Sequence, residues 1–218
     1  MVQVWALTDY RAGTANQVLG VARHTRFNVA EIVLEYNRIA DLPNFATLGN
    51  GLRGLQKSAR AAFHPPWPDV VVAAGRRTAP IALWIKYHHP GVKLVHLMHP
   101  GMPLSAFDLI VLPTHDQPQA RQNVLTTLGA PHALNDEILF GARARQPLNP
   151  DRLPKPWTMV CLGGNSAGGN FTLQDVEQLV AQLEPLAQEG SLLVSGSRRT
   201  PPALMHHAVE RLNKAYPA

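Results

Sequence analysis

Residues 69–80 read Asp-Val-Val-Val-Ala-Ala-Gly-Arg-Arg-Thr-Ala-Pro. The run from Val70 to Ala74 is unbroken apolar, so it offers no polar face to water. A strand of that kind is buried on both sides, as in parallel sheets covered by helices. Gly75 permits a turn, and a helical pattern from Thr78 to Tyr87 follows at once. Outward from this βα unit the same grammar repeats. Val2–Thr8, Ala30–Leu34, Val92–Met98 and Asp108–Leu112 read as strands, and Thr14–Arg23 and Asn50–Phe63 as helices. Thr14 is placed to N-cap the first helix. Strands alternating with helices through the first 115 residues predict a complete doubly wound α/β sheet.

The character changes at Gly141–Pro156, where Pro147, Pro150, Pro154 and Pro156 interrupt an arginine-bearing stretch with little apolar content. It reads as a linker. A second unit follows, with strands at Trp157–Leu162 and Ser191–Ser195 and helices at Leu173–Gln188 and Pro201–Lys214. Two parallel strands leave edges and a face open. The expectation is a Rossmann-like domain over 1–140, a linker over 141–156, and the opening of a second, truncated Rossmann-like domain over 157–218 of a longer protein. The alternative is that the two strands extend a neighbouring sheet.

The longest apolar runs are far below the roughly 20 residues that cross a bilayer, and no secretory leader is visible at Met1–Leu7. Cys161, the single cysteine, lies inside an apolar run and has no partner for a disulfide. These features point to a cytoplasmic protein, with contact at the inner membrane surface as an extension. The formal net charge is +5. Residues 1–150 hold 14 basic and 9 acidic residues, and residues 151–218 hold 6 of each, so the whole excess lies in residues 1–150, most of it in the first domain. A basic domain favours anionic partners, though it can equally serve solubility.

Ligands of doubly wound sheets collect beyond the carboxyl ends of the strands, where the strand order reverses. Five polar clusters follow strands directly. Asp9-Tyr10-Arg11-Ala12-Gly13-Thr14-Ala15-Asn16-Gln17 offers a turn glycine and a helix N-terminus, with Arg11, Gly13, Asn16 and Gln17 as ligand-binding candidates. It is not a GxGxxG fingerprint, and a capped turn is the plainer reading. Arg76 and Arg77 after Gly75 could fork onto an anion or stand in solvent. In Pro113-Thr114-His115-Asp116, His115 beside a carboxylate is a candidate general base and Asp116 a ligand-binding candidate, or the pair is structural. The fourth cluster is Gly163-Gly164-Asn165-Ser166-Ala167-Gly168-Gly169, where four glycines in seven residues let backbone wrap a ligand and Thr172 caps the next helix. It lacks the lysine of a Walker A loop. The fifth, Ser195-Gly196-Ser197-Arg198-Arg199-Thr200-Pro201, could complete a phosphate or diphosphate pocket across one crevice from the fourth.

No metal site is expected. The ten histidines include His88-His89, His96-x-x-His99 and His206-His207, but none is joined by cysteine or carboxylate at zinc spacing. No nucleic-acid motif is present either. Arg53, Lys57 and Arg60 fall at helical spacing before Phe63-His64-Pro65-Pro66-Trp67. That arrangement suits an anionic bilayer surface, or a solvated helix beside a packed Trp67.

Taken together, Asp9-x-Arg11-Ala12-Gly13-x-x-Asn16-Gln17, Ala74–Pro80, Pro113-x-His115-Asp116, Thr127–His132, Leu162–Ser166 and Ser197–Pro201 resemble the mitochondrial-fission (elongated-mitochondria) family and its bacterial relatives. The resemblance spans nearly the whole chain. It implies a GT-B glycosyltransferase-like architecture of two Rossmann-like domains. The glycine-rich loop is similar to the donor loop of the enzyme that adds N-acetylglucosamine to lipid-linked cell-wall precursor. His99-Pro100-Gly101 departs from the family pattern, which has an acidic and then a basic residue around the proline. The implied activity is metal-independent transfer from a nucleotide sugar, or another phosphorylated small molecule, to an acceptor, without a cofactor. Asn165, Ser166, Ser197, Arg198 and Arg199 would bind the diphosphate, and Asp9 or His115 would be the base. The rival reading is a non-catalytic scaffold at a membrane surface. An epimerase would need a redox cofactor, and the fingerprint for one is missing.

Overall fold

A computed structural model describes residues 1–42, 51–145, 152–166 and 168–215. They form two compact units, Met1–Phe140 and Gly141–Ala218.

The first unit contains β1 (Gln3–Thr8), α1 (Ala12–His24), β2 (Asn28–Val33), a short α2 (Lys57–Arg60), β3 (Val70–Ala74), α3 (Ala79–His88), β4 (Lys93–Leu97), β5 (Leu109–Pro113) and β6 (Val124–Thr127). Its sheet is wholly parallel, in the order β2-β1-β3-β4-β5-β6. The chain leaves β1 for β2 on one side, then crosses to β3 on the other, so the order reverses between β1 and β3. Alternate residues feed two cores, because successive side chains of a strand point to opposite faces. Val4, Ala6, Val72, Ala74 and Leu97 pack with Val18 and Ala22 of α1. Trp5, Leu7, Val71, Ala73 and Leu94 pack with Ile81 and Ile85 of α3. Each fully buried aliphatic side chain stabilises the fold by about 1.5–3 kcal/mol.

Several elements differ from the sequence expectation. β6 adds a sixth strand, too short and too exposed to show as an apolar run. α1 begins at Ala12 with Arg11 at its N-cap rather than Thr14. The Asp9 carboxylate accepts the Arg11 amide at 2.9 Å, so the turn into the helix is already satisfied there. The long helix expected over 50–63 is a 3-10 turn at Gly51–Gly54 followed by α2, and Asn50 lies outside the described residues. Arg53, Lys57 and Arg60 therefore do not share one helix face. The Arg60 guanidinium donates to the carbonyls of Leu55 and Arg53. Trp67 packs against Trp5 and stacks on His89, with ring centroids 5.4 and 3.8 Å apart. Residues 141–145 of the expected linker continue α4 (Asp136–Arg145), and 146–151 lie outside the described residues.

The second unit pairs β7 (Trp157–Cys161) with β8 (Ser191–Ser195) in parallel. α5 (Leu173–Glu189) and α6 (Pro202–Ala215) pack on it through Val160, Leu162, Val176, Val180, Leu183, Ala208 and Leu212. Thr172 caps α5 as expected. Its hydroxyl takes the Asp175 amide, and the Asp175 carboxylate returns to the Thr172 amide. His207 on α6 donates to Glu177 on α5 at 2.5 Å, and Arg211 joins it. That histidine contact, helped by Arg211, holds the Glu177 carboxyl below its usual range. Among the described residues no helix is long and apolar enough to cross a membrane.

His96 on β4 is 1% exposed, beside the Phe107 ring, and neither ring nitrogen has a hydrogen-bond partner among the described residues. Burial pushes its pKa down to about 3. The folded state thus resists a proton that the unfolded chain accepts below its ordinary value of 6.5. Stability is unaffected by this group above that value and falls with pH below it, by about 1.4 kcal/mol per unit. His96→Leu is expected to shrink the loss of Tm between neutral pH and pH 5. An unchanged Tm–pH profile in the variant would refute this origin of acid sensitivity.

Candidate functional site

The rim of the first sheet gathers its functional side chains at the β1/β3 reversal. Asp9 follows β1, is 8% exposed, and leans over the start of α1 to hold the Arg11 amide. Gly75 follows β3 with φ +77°, a conformation open to glycine at little cost. Its turn aims Arg76 and Arg77 toward the segment after β2. Arg76 donates to the Leu42 carbonyl at 2.8 Å, and Arg77 pairs with Asp41. The Arg77 guanidinium also lies 5.6 Å from the centre of the Tyr36 ring. Both arginines proposed as anion forks thus hold down the loop that follows β2.

That loop walls a cleft of about 660 Å³ beyond the carboxyl ends of β1 and β2. Asp9, Tyr10 and Arg77 line it together with Glu31, Glu35 and Tyr36. Thr8 donates to Glu31 at 2.8 Å, and Ser58 to Glu35 at 3.3 Å. Asn37 fixes the wall, giving its amide to the carbonyls of Arg53 and Leu55 and accepting the Ile39 amide. Tyr36 Oη is buried and unpartnered among the described residues, and burial, reinforced by Asp9, raises its pKa. Tyr10 is 67% exposed, and hydrogen bonds first from Arg11 and then from Arg77 lower its pKa. Sequence reasoning missed the post-β2 residues Glu35–Arg38 and Asp41. Their signal was position, directly after a strand like the other clusters, but charges of both signs make such a stretch look like a solvated turn.

Other candidates lie elsewhere on the rim. Gly13 has open space around the position of a Cβ, and Gln17 reaches Met98 Sδ at a loose 3.9 Å. Asn16 is exposed near the start of α1. His115 and Asp116 follow β5 and are exposed, 3.7 Å apart. Since β5 is three strand spacings from β1, roughly 14 Å at the usual interstrand distance, Asp9 and His115 do not converge on one atom.

In the second unit the two polar loops are locked together by backbone. The Asn165 amide donates to the Arg199 carbonyl at 3.1 Å. The Thr200 hydroxyl, 8% exposed, reaches the Leu162 and Gly163 carbonyls at 3.2 and 2.5 Å and accepts the Ser197 amide at 2.8 Å. Asn165 Oδ1 accepts the Phe171 amide, and Ser166 and Gly169 exchange backbone hydrogen bonds. Ser197, Arg198 and Arg199 are exposed just ahead of α6. Among the described residues no group of histidine, cysteine and carboxylate side chains could hold a metal ion.

The family model "Mitochondrial fission ELM1" matches residues 12–217. The chain belongs to this family. Among relatives of the ELM1-family chain, the uncharacterised protein RP120 of Rickettsia prowazekii (strain Madrid E) is 34% identical over 115 residues, covering 53% of this chain and 32% of that protein. The mitochondrial fission protein ELM1 of Arabidopsis thaliana is 27% identical over 174 residues, 69% of this chain and 41% of the plant protein. The matched stretches thus span well under half of either relative.

A Cβ on Gly164 would fall 2.1 Å from the Arg199 carbonyl, whereas one on Gly163 would meet nothing within 4 Å. Gly164→Ala in this ELM1-family chain is expected to destabilise the second unit by about 1–3 kcal/mol through overpacking. Gly163→Ala should be close to neutral. Denaturant titration of the two variants checks this, and equal stabilities would show that the loops do not need their close approach.

Proposed function

We propose that this chain is the nucleotide-sugar-binding portion of a glycosyltransferase-like protein. The observation that carries the reading is the joined pair of loops after β7 and β8. Their backbones fix one another, and they present Ser197, Arg198 and Arg199 together at the entrance to a 14-residue helix. A leaving diphosphate needs positive charge already in place, and arginines beside a helix N-terminus supply it without a metal. Asn165 and Ser166 border the same loops. Asp9 is the base in this reading, because it lines a cleft wide enough for a ligand, whereas His115 stands in open solvent. The second reading is a binding or scaffold protein without catalysis, peripheral to a membrane. The name of the Arabidopsis relative, a mitochondrial fission protein, favours it.

Calorimetric titration of UDP, GDP and their common sugar conjugates separates the two. The transferase-like reading expects saturable binding that Arg198→Ala/Arg199→Ala weakens by at least about tenfold, the scale of losing charge-assisted phosphate contacts. No binding up to millimolar nucleotide, together with sedimentation on anionic vesicles, would overturn it in favour of the scaffold.

A further inference from the structure

The cleft of the first unit has a chemistry that its domain's net charge conceals. Four carboxylates line it, from Asp9, Glu31, Glu35 and Asp41, against two guanidiniums from Arg38 and Arg77. Arg77 is already neutralised by Asp41, so its charge is not available to an incoming anion. Asp9 offers one carboxylate oxygen to the Arg11 amide, Glu31 one to Thr8, and Glu35 one, at 3.3 Å, to Ser58. Each carboxylate has about four lone-pair positions. The wall is therefore rich in unused acceptors and carries a surplus of negative charge.

A phosphate or carboxylate ligand would meet that surplus at close range and be repelled. A purely cationic ligand would gain from the carboxylates but would have to lie beside the Arg38 guanidinium. Hydroxyl groups avoid both conflicts, since each can donate to a carboxylate and accept from a guanidinium or phenol. The cleft is also of the size that encloses a small organic ligand, and the exposed Tyr10 ring on its wall gives an apolar face for the C–H side of a sugar.

We infer that the cleft beyond β1 and β2 binds an uncharged polyhydroxyl ligand, a sugar or sugar-like polyol bearing no phosphate at the enclosed end, through Glu31, Glu35 and Asp9. The inference concerns the first unit alone and does not depend on the diphosphate site.

Saturation-transfer NMR on the whole chain tests it, with methyl α-D-glucopyranoside, methyl α-D-mannopyranoside and methyl β-N-acetylglucosaminide as probes. Glucose 6-phosphate and spermidine serve as the charged comparisons. At least one glycoside should bind saturably, and the sugar phosphate should bind at least about tenfold more weakly, the size of effect a close like charge produces. Glu31→Gln/Glu35→Gln keeps the shape and one acceptor oxygen on each side chain but removes two charges, so it should erase most of that preference while circular dichroism and Tm stay native. The inference is overturned if no glycoside saturates, if the phosphate binds as well as the glycosides, if spermidine alone binds, or if the folded double variant keeps the wild-type preference. The nucleotide titration reads Arg198 and Arg199 on the other unit, so either result can fail while the other stands.

Discussion

The first unit depends on the pairing of β1 with β3, in register from Val4 opposite Val70 to Ala6 opposite Val72. Both strands are buried on both faces, so the pair can exist only where helices cover it from each side. Parallel direction forces every return through a crossover, and the covering helices come with it: α1 follows β1 onto one face, and α3 follows β3 onto the other. Because the two crossovers leave β1 and β3 toward opposite faces, neither closes over the carboxyl ends of the strands. The rim where Asp9 and Gly75–Arg77 stand is the space left between them. A cleft there is a consequence of the topology before any side chain is chosen.

Side chains then decide how the rim is used. Much of the charge near β1 and β3 is spent on holding backbone in place. Arg76 takes the Leu42 carbonyl, Arg77 takes Asp41, Asn37 bridges to Arg53 and Leu55, and Arg60 adds two more carbonyl contacts. These contacts satisfy groups in loops that have no sheet or helix partner of their own. The same economy operates in the second unit, where Thr200 answers the end of β7 and the Ser197 turn with one hydroxyl.

The strands buried on both faces were legible in the sequence to within about a residue or two, because an unbroken apolar run has no other good home in a chain this size. β6 was not, since an edge strand needs burial on only part of its surface and Val124–Thr127 is half-exposed. The stretch 51–60 reads as helical in its apolar spacing, but Gly51 and Gly54 break it. Gly51 is pressed so closely on the Pro80 carbonyl that no side chain fits. That contact is long-range, and spacing along the chain carries no trace of it. The rim clusters were legible as positions. Their roles were less so, because an arginine that binds an anion and one that ties down a carbonyl look alike in sequence.

Net charge misleads in the same way. The first domain, residues 1–140, holds 12 basic against 9 acidic residues, a net +3, yet the cleft beyond β1 and β2 is lined by more carboxylates than guanidiniums. The excess is contributed by residues such as Arg23, Arg26, Lys57 and Arg121, none of which lines that cleft. Exposed charges more than about 10 Å apart are largely screened at ordinary ionic strength. A ligand inside the cleft therefore responds chiefly to the side chains within reach. A domain's total charge sets how the molecule meets its surroundings at a distance; the polarity of a cleft is set by the few strand ends that form it. Here those ends belong to β1 and β2, and they bring acids.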